Sequence, residues 1–355
     1  MKIALIEMTN SHDECLYSQV KIIRTVPNVH LTLICTSSLK ENIEFIDSVD
    51  RKVFYEMKKG IHEWIFMFKL WHFCRKENFD KIIFNTAQGI LTGRLMKFPY
   101  KKRTNFYGIL HETKKLGTSF SQNRISKKIK HYFILNDYLK NNTKYKFTVS
   151  VFYPIFFPPF TFEPVDKKIG DTWICVPGQV ELKRRDYKAL FESIELHGIN
   201  ENVKILLLGR YGHSNGDGAY IQEQISRLNL EDNILIWENF IPVVHFHTMV
   251  NSSDYILPLI HEGDASGDLY QNQISGAFNL AAGYKKPLVL EKHIFDKCKF
   301  SKAVTYDVES IMKTLNELKP NDTANIYYEE KMDFEIQRKN YLESIGIKYN
   351  SQIEK

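Results

Sequence analysis

The stretch Asp254–Leu290 has the sequence DYILPLIHEGDASGDLYQNQISGAFNLAAGYKKPLVL, and its pattern predicts the fold of the chain. Two apolar runs, Tyr255–Ile260 and Pro287–Leu290, have the length and composition of buried strands in a parallel sheet. Apolar residues at helical spacing resume after Ser275, so a helix is predicted to begin near that residue. The order of strand, polar loop, helix and strand indicates an α/β unit.

The loop between the two runs carries residue types that suit a ligand with both hydroxyl and phosphate groups. Glu262 and Asp264 follow the first predicted strand, where carboxylates can accept hydrogen bonds from hydroxyl groups. Ser275 and Gly276 open the helix, whose unpaired N–H groups and positive dipole end attract an anion such as a diphosphate. The pattern fits a nucleotide-sugar site, and equally an ordinary strand–loop–helix unit with a capping serine.

The charge of the chain is divided unevenly between its two halves. The 355 residues carry a net charge of +6, but residues 1–160 contain 26 Lys and Arg against 13 Asp and Glu, whereas the remainder contains 22 against 29. A basic first half indicates anionic lipid, a pyrophosphate-bearing acceptor or nucleic acid as a partner, with a solvated basic surface as the alternative. The length indicates two domains, each able to bury its own core.

The cysteines and the apolar runs indicate where in the cell the protein is located. The five cysteines are scattered and have no spacing that would chelate zinc. No apolar run reaches the length of a signal-peptide core or of a membrane span. We therefore expect a cytoplasmic protein, and the sequence predicts neither a metal nor a cofactor.

Strand and helix patterns alternate along the chain, which predicts a doubly wound parallel sheet. The predicted strands of the first half are Lys2–Met8, Val29–Thr36, Lys52–Met57, Asp80–Thr86, Thr104–Leu110 and Tyr132–Leu135. A Pro- and Phe-rich stretch, Phe152–Asp171, breaks the pattern and marks a linker. We expect Rossmann-like domains at 1–160 and 161–320, followed by a helical segment at 321–355.

Polar residues follow several of the predicted strands. Functional groups of doubly wound sheets gather at the carboxyl ends of the strands. This rule selects Asn10, Ser11, His12 and Asp13 after the first strand, Asn85 and Gln88 after the fourth, and His111 with Glu112 after the fifth.

A strongly aromatic helix is predicted at Ile61–Lys76, with Trp64, Phe68 and Trp71 on neighbouring turns and with Lys58 and Lys59 before it. Such a helix packs against a sheet or dips into a membrane surface. The following segment, Arg94–Lys130, contains eleven Lys or Arg and a single acid. We expect this segment to face an acceptor or an anionic lipid surface.

Four stretches, taken in order, carry a resemblance to a known family. They are VPGQVELKRRDYKAL (176–190), KILLLGR (204–210), FIPVVHFHTMVNSSDYILPLIHEG (240–263) and ISGAFNLAAGYKKPLVL (274–290). They resemble the donor-binding domain of nucleotide-sugar glycosyltransferases with the GT-B architecture, especially the retaining, family 4-like enzymes that build bacterial surface polysaccharides. The resemblance implies two Rossmann-like doubly wound domains that face each other across a cleft.

The resemblance also implies roles for residues of the second domain. It places Glu262 near the donor sugar, Gly178 where the backbone approaches the donor, and Glu238 to Ile241 around the base. Lys183, Arg184 or Arg185 is implied to neutralise the diphosphate. The other predicted donor-binding residues are Gly263, Asp264, Asn272, Ser275, Gly276 and Asn279.

The chain departs from the family pattern at three donor positions. The family has a second Glu where this chain has Tyr270, a ribose-binding Glu on the helix where it has Asn279, and an Arg in the glycine turn where it has Gln179. These differences concern the pose of the donor and the choice of nucleotide.

The first domain offers two histidines as catalytic candidates. His111 falls where the family has a His facing the reacting sugar, and a His bonded to backbone at a strand end is the alternative. His12, with Asp13 or Glu14, is a second candidate, since a His after the first strand activates the acceptor in inverting relatives.

The expected function is transfer of a hexose from a UDP- or GDP-sugar to a saccharide or lipid-linked saccharide in capsule, O-antigen or exopolysaccharide synthesis, with peripheral contact to an anionic membrane. One alternative is a sugar-nucleotide epimerase on the same scaffold, and another is a catalytically inactive transferase-like partner. A non-catalytic protein that binds lipid or nucleic acid through its basic half is a further alternative. Because no nucleic-acid-binding motif is present, we expect no nucleic-acid partner.

Overall fold

The computed structural model describes residues 1–57, 60–142, 147–212, 216–320 and 322–348. The chain forms two compact units, the first from Met1–Pro158 with Glu330–Lys355 and the second from Pro159–Glu329. The helical segment expected at 321–355 is thus shared between the units, and its residues 321 and 349–355 lie outside the described ranges, as do Lys58 and Lys59.

The two units contain the following regular elements in chain order. The strands are β1 (Lys2–Glu7), β2 (His30–Thr36), β3 (Arg51–Tyr55), β4 (Lys81–Phe84), β5 (Asn105–Leu110), β6 (His131–Ile134), β7 (Thr148–Val151), β8 (Thr172–Pro177), β9 (Val203–Arg210), β10 (Ile234–Trp237), β11 (Tyr255–Ile256), β12 (Val289–Glu291) and β13 (Val304–Tyr306). The α-helices are α1 (Leu16–Ile23), α2 (Ile61–Glu77), α3 (Gly89–Leu95), α4 (Phe120–Ile125), α5 (Tyr187–His197), α6 (Asp217–Arg227), α7 (Val243–Ser252), α8 (Ala265–Leu269), α9 (Gly276–Tyr284), α10 (Lys292–Cys298), α11 (Ile311–Glu317) and α12 (Phe334–Ser344).

The first unit is built on a parallel sheet of seven strands in the order β3-β2-β1-β4-β5-β6-β7. Its central strands are apolar on both faces because helices cover both sides of such a sheet. On one side, Phe66, Met67 and Leu70 of α2 pack with Ile82 and Phe84 of β4.

The final helix α12 belongs to the first unit, where it packs on α1 and β7. Its Tyr341 stacks on Phe133 with 4.8 Å between the ring centroids, and its hydroxyl donates to Gln19 Oε1 at 2.9 Å. The core of the first unit is therefore completed by residues from the end of the described chain.

The second unit contains a parallel sheet of order β10-β9-β8-β11 and a parallel pair β12-β13. A parallel bridge between Ile256 and Leu288 connects the two. The doubly wound α/β class expected from the sequence is confirmed in both units.

The structure differs from the sequence prediction at several elements. Helix α10 and strand β13 were not predicted, and β13 lies where a helical region was expected. The strand predicted at Tyr255–Ile260 ends at Ile256, because Pro258 has no N–H group and Leu259 has a left-handed φ of 51°. The loop predicted after it contains the short helix α8, which Asp264 caps by accepting from Ser266 N at 2.9 Å. Strand β7 was not predicted, since it is short and runs directly into the Pro-rich stretch.

Among the described residues, no helix combines the length and the apolar character needed to cross a bilayer.

Candidate functional site

The carboxyl ends of β8 and β9 approach each other closely in the second unit. Gly178 has a left-handed φ of 108°, which favours glycine. A Cβ atom at Gly209 would lie 1.9 Å from the carbonyl oxygen of Gly178, so a side chain there would displace the turn. The two glycines together let the β8 turn lie against β9. The approach of Gly178 to a donor stays a prediction.

Arg185 is the buried hub of this turn, with 3% of its surface exposed. Its guanidinium donates to the carbonyl oxygens of Pro177 at 2.8 Å and Arg184 at 2.7 Å, to the Tyr270 hydroxyl at 2.9 Å, and to Ser275 Oγ at 3.4 Å. Its Nε is buried and has no hydrogen-bond partner within the described ranges. No carboxylate of the described chain forms an ion pair with it, so the site holds a buried positive charge that only neutral groups contact.

The N-terminus of α9 lies beside this cation. Ser275 is buried and its side chain makes no capping hydrogen bond, while Gly276 is exposed and a Cβ atom there would have nothing within 4 Å. The first N–H groups of α9 thus lie beside open space. Together with Arg185, they form a positive site suited to an anion.

Lys183 and Arg184 occupy the rim of the same turn. Both contact Glu181 Oε2, from Lys183 Nζ at 3.3 Å and from Arg184 Nε at 2.9 Å. The side chain of Lys183 is 66% exposed, so it is available to a ligand. Of the three basic residues predicted to hold a diphosphate, the structure brings Arg185 to Ser275 and leaves Lys183 exposed at the edge.

Glu262 lies on a loop that is anchored from behind by a buried histidine. His261 Nδ1 contacts Asp186 Oδ2 at 2.8 Å and its Nε2 contacts the Tyr306 hydroxyl at 2.9 Å. The Glu262 carboxylate itself is 46% exposed and forms an ion pair with Lys297 Nζ at 2.8 Å, which lowers its pKa. Lys297 is on α10, 35 residues away in sequence, and no pattern in the sequence indicates this pairing.

The remaining predicted donor residues lie on three loops and one helix. Glu238 is exposed and its carbonyl oxygen accepts from Gly212 N at 3.1 Å, whereas Ile241 is buried. Gly263 is exposed with φ 84°, and Asp264 caps α8 as described above. Asn272 is half-buried between α8 and α9, and Asn279 is buried on α9.

In the first unit, the two predicted catalytic histidines contact each other directly. Their rings stack with 3.7 Å between centroids and 22° between planes. His12 has a left-handed φ of 70°, a conformation that costs energy in a residue with a side chain and is common at functional sites. Its Nδ1 lies 3.4 Å from Glu14 Oε1.

Asn85 holds both histidines in place. Its Nδ2 donates to the His12 carbonyl oxygen and to Glu7 Oε2, both at 2.7 Å, and its Oδ1 accepts from Gln19 Nε2 at 2.7 Å. Its backbone oxygen lies 2.8 Å from His111 Nε2. Since a carbonyl can only accept, Nε2 of His111 carries the proton. The structure shows the second alternative raised for His111, a bond to backbone at a strand end, and it also stacks the ring on His12. The catalytic role of His111 stays a prediction.

The electrostatic environment shifts the pKa values of the two histidines in opposite directions. Burial, together with the adjacent His12, lowers the pKa of His111 to about 3. Burial also acts to lower the pKa of His12, but the carboxylates of Glu14, Glu7 and Asp13 outweigh it and raise this pKa overall. Burial and the neighbouring Glu14 raise the pKa of Asp13 to about 6. Near neutral pH His111 is neutral, and a proton that the pair takes up resides on His12.

The sequence selected Asn85 and Gln88 only as residues at a strand end, yet both position the pair. Gln88 Oε1 accepts from the backbone N–H groups of His111 at 2.9 Å and of Glu112 at 3.1 Å. Glu7 and Gln19, which lie behind Asn85, had no sequence signal beyond being polar residues in apolar elements. Within the described ranges, no group of three or more His, Cys, Asp or Glu could hold a metal ion.

Comparison with known proteins gives matches by structure alone. No protein-family model and no curated protein sequence matches the chain. A glycosyltransferase from Rickettsia africae ESF-5 superposes with a TM-score of 0.58 at 13% identity, over 97% of each chain. Anabaena Alr3699/HepE in complex with UDP-glucose superposes with a TM-score of 0.61 at 11% identity, over 89% of each chain. Neisseria meningitidis UDP-GlcNAc 2-epimerase bound to UDP-GlcNAc superposes with a TM-score of 0.59 at 12% identity, over 97% of this chain and 99% of that one.

The chain has the GT-B fold. The GT-B fold places both candidate sites of this chain, the Arg185 turn with α9 and the histidine pair, at the carboxyl ends of parallel strands. At these identities the likeness shows the fold and does not assign the reaction, since the GT-B neighbours include both transferases and epimerases.

Proposed function

We propose that the protein is a glycosyltransferase that moves a hexose from a UDP- or GDP-sugar to a saccharide or lipid-linked saccharide acceptor. The observation that carries this proposal is the buried guanidinium of Arg185 beside the open N-terminus of α9. A buried cation without a carboxylate partner in the described chain is costly unless an anion binds there. The diphosphate group of a nucleotide-sugar supplies that anion.

The second unit would stabilise the leaving group. When the bond between the anomeric carbon and the diphosphate oxygen breaks, the electron pair and the growing negative charge pass to the diphosphate. Arg185, the N–H groups at the start of α9 and the exposed Lys183 supply positive charge where it develops. The solved complexes of HepE with UDP-glucose and of the Neisseria epimerase with UDP-GlcNAc support a UDP-linked donor.

The first unit would supply the base. Glu14 contacts Nδ1 of His12, which leaves Nε2 to take the proton from an acceptor hydroxyl as its oxygen forms the new glycosidic bond. Neutral His111 supports the ring of His12 by stacking. A positioned base favours direct displacement with inversion over the retention that the family resemblance implied, and the anomeric configuration of the product, read by NMR, distinguishes the two.

The biological setting of the proposal is the synthesis of capsule, O-antigen or exopolysaccharide at the cytoplasmic face of the inner membrane. The basic first half of the chain supports an anionic or lipid-linked acceptor. Peripheral contact with an anionic membrane surface is part of this proposal.

A sugar-nucleotide epimerase is the second candidate, favoured by the epimerase structures among the fold neighbours. It would bind the same nucleotide-sugar but transfer no sugar to an acceptor.

One experiment separates the two candidates. The protein is incubated in D₂O with UDP- and GDP-sugars, with and without saccharide acceptors, and followed by NMR. A transferase yields free UDP or GDP and a new glycosidic linkage only when an acceptor is present. A 2-epimerase instead converts UDP-GlcNAc without an acceptor and exchanges the proton at C2. Absence of both reactions across the donors and acceptors would contradict an enzymatic role.

A further inference from the structure

Helix α2 is apolar on two opposite faces. One face is buried in the core of the first unit through Phe66, Met67 and Leu70. The other face is exposed to solvent at helical spacing i, i+3, i+4 and i+7: Ile61 (73% exposed), Trp64 (44%), Ile65 (45%) and Phe68 (53%). A surface helix normally carries polar residues on its outer face, so a contiguous apolar stripe there marks an interaction surface.

The neighbouring helices extend the stripe. Arg94 of α3 lies over the ring of Trp64, 5.1 Å from its centroid, and Ile90, one turn earlier on α3, is 65% exposed. Gly93 of α3 packs against Ser121 of α4, and the preceding residue Phe120 is 77% exposed. We call the six exposed apolar residues of these three helices the α2–α4 face: Ile61, Trp64, Ile65, Phe68, Ile90 and Phe120.

The surroundings of the α2–α4 face are strongly basic. Residues 61–130 contain 15 Lys and Arg but only 4 Asp and Glu. Three of those acids are already paired, Glu63 with Arg94, Glu112 with Lys115 and Glu77 with Arg51. Lys97 lies 5.8 Å from the Trp64 ring, and Arg124 lies 4.7 Å from the Phe120 ring. Cations therefore lie directly beside the exposed rings.

We propose that the α2–α4 face docks on an anionic lipid bilayer, with its apolar side chains among the acyl chains and the surrounding Lys and Arg at the headgroups. Exposed aromatic and aliphatic side chains ringed by cations are the composition that binds such a surface. A second copy of the chain is a poorer occupant, because two strongly basic faces repel each other. This inference deepens the proposed function, on which it rests, by naming the surface that brings the enzyme to a lipid-linked acceptor.

The test is sedimentation of the full chain with lipid vesicles at about 0.1 M salt, where the Debye length is about 10 Å. The probes are vesicles of phosphatidylcholine alone and vesicles that also contain phosphatidylglycerol. We expect binding to the anionic vesicles that weakens as salt rises. The double variant Ile65→Ser with Phe68→Ser should lower the partition constant by about 10- to 100-fold, since each exposed apolar side chain that enters the bilayer contributes roughly tenfold.

A matched control is Leu196→Ser on α5 of the second unit, which removes an apolar side chain that is 71% exposed. This control should bind vesicles as the unchanged chain does. Equal binding by the double variant and the unchanged chain would overturn the inference, as would equal loss in the Leu196→Ser control. Dimerisation without lipid that the double variant abolishes would assign the face to a second copy, and preferential binding to single-stranded DNA would assign it to nucleic acid; either result overturns the inference.

Thermal stabilisation by UDP and GDP, measured on the same preparations, keeps the two proposals apart. The double variant should retain the nucleotide response of the unchanged chain, which also shows that it is folded. Nucleotide binding without vesicle binding would refute the membrane inference alone. Vesicle binding without any nucleotide response would refute the proposed function alone.

Discussion

The ring of His12 lies on the ring of His111, with 3.7 Å between their centroids. Two stacked imidazolium ions would repel each other, so the pair accommodates one positive charge. Glu14 attracts that charge to His12, while burial keeps His111 neutral. The contact thus produces two histidines of different protonation state at one site, as acid–base chemistry requires.

Activity should depend on the protonation of His12. As a base, His12 must be neutral, so kcat/KM should rise with pH through a pKa above 6.5, the ordinary value for histidine. Glu14→Gln removes the carboxylate that raises this pKa, and the acid limb of the profile should move to lower pH. The control Glu44→Gln, at an exposed position, should leave the profile in place. NMR titration of the ring protons checks the same assignment without turnover, and a His111 that titrates near 6.5 would contradict it.

Asn85→Ala should destabilise the first unit. The substitution removes the donor to buried Glu7 and to half-buried His12, and it removes the acceptor of buried Gln19. We expect the free energy of unfolding to fall by about 2 to 4 kcal/mol, since buried partners are left unsatisfied. Urea denaturation measures the change. Asn123→Ala on the exposed side of α4 should change it by less than about 0.5 kcal/mol, and an equal loss there would refute the special role of Asn85.

The basic residues of the β8 turn should differ in their effect on stability. Arg185→Met removes four hydrogen bonds of a buried group, and we expect a loss of about 2 to 4 kcal/mol in the free energy of unfolding. Arg185→Lys should recover part of this loss, because an ammonium cannot reproduce the planar fork. Lys183→Ala, at a side chain that is 66% exposed, should stay within about 0.5 kcal/mol. Similar losses in all three variants, measured in urea, would be inconsistent with Arg185 as the hub.

Gly209→Ala should be poorly tolerated. Its Cβ atom would lie 1.9 Å from the carbonyl oxygen of Gly178, so the β8 turn must shift. We expect a loss of roughly 2 to 4 kcal/mol in thermal or urea unfolding. Gly276→Ala is the comparison, because its Cβ atom meets nothing within 4 Å and the residue opens a helix. That variant should be neutral or slightly stabilised, and a loss equal to that of Gly209→Ala would show that the close approach does not matter.

The fold followed from the sequence because its signals are local. Parallel strands buried on both faces appear as continuous apolar runs, and the start of α9 at Gly276 follows from a Ser at the N-cap position and from helical spacing. The end of β11 did not follow, because the left-handed backbone of Leu259 is imposed by its surroundings and not by its residue type. The sequence also did not predict that the end of the chain belongs to the first unit. Helix α12 packs on α1 and β7, which are distant from it in sequence.

Local patterns indicated single residues of the candidate site, such as His12 and His111 at strand ends, but not the contact between them. Gly178 and Arg185 belong to one turn, and the family pattern named both. The pairing of Glu262 with Lys297 and the support of both histidines by Asn85 join distant segments, and no spacing rule indicates them. For α2, an apolar pattern all round the helix indicated either a core or a membrane helix, and the structure shows that one face is buried while the other is exposed.

The most direct test of the nucleotide-sugar site is calorimetric titration of the unchanged chain with UDP, GDP and the corresponding monophosphates. We predict that one nucleoside diphosphate binds at one site per chain and at least about tenfold more tightly than its monophosphate, because the second phosphate reaches Arg185 and the start of α9. At 100 times its dissociation constant, that ligand should add about 2.7 kcal/mol to the free energy of unfolding. Failure of both diphosphates to bind, or equal affinity for mono- and diphosphate, would contradict the site.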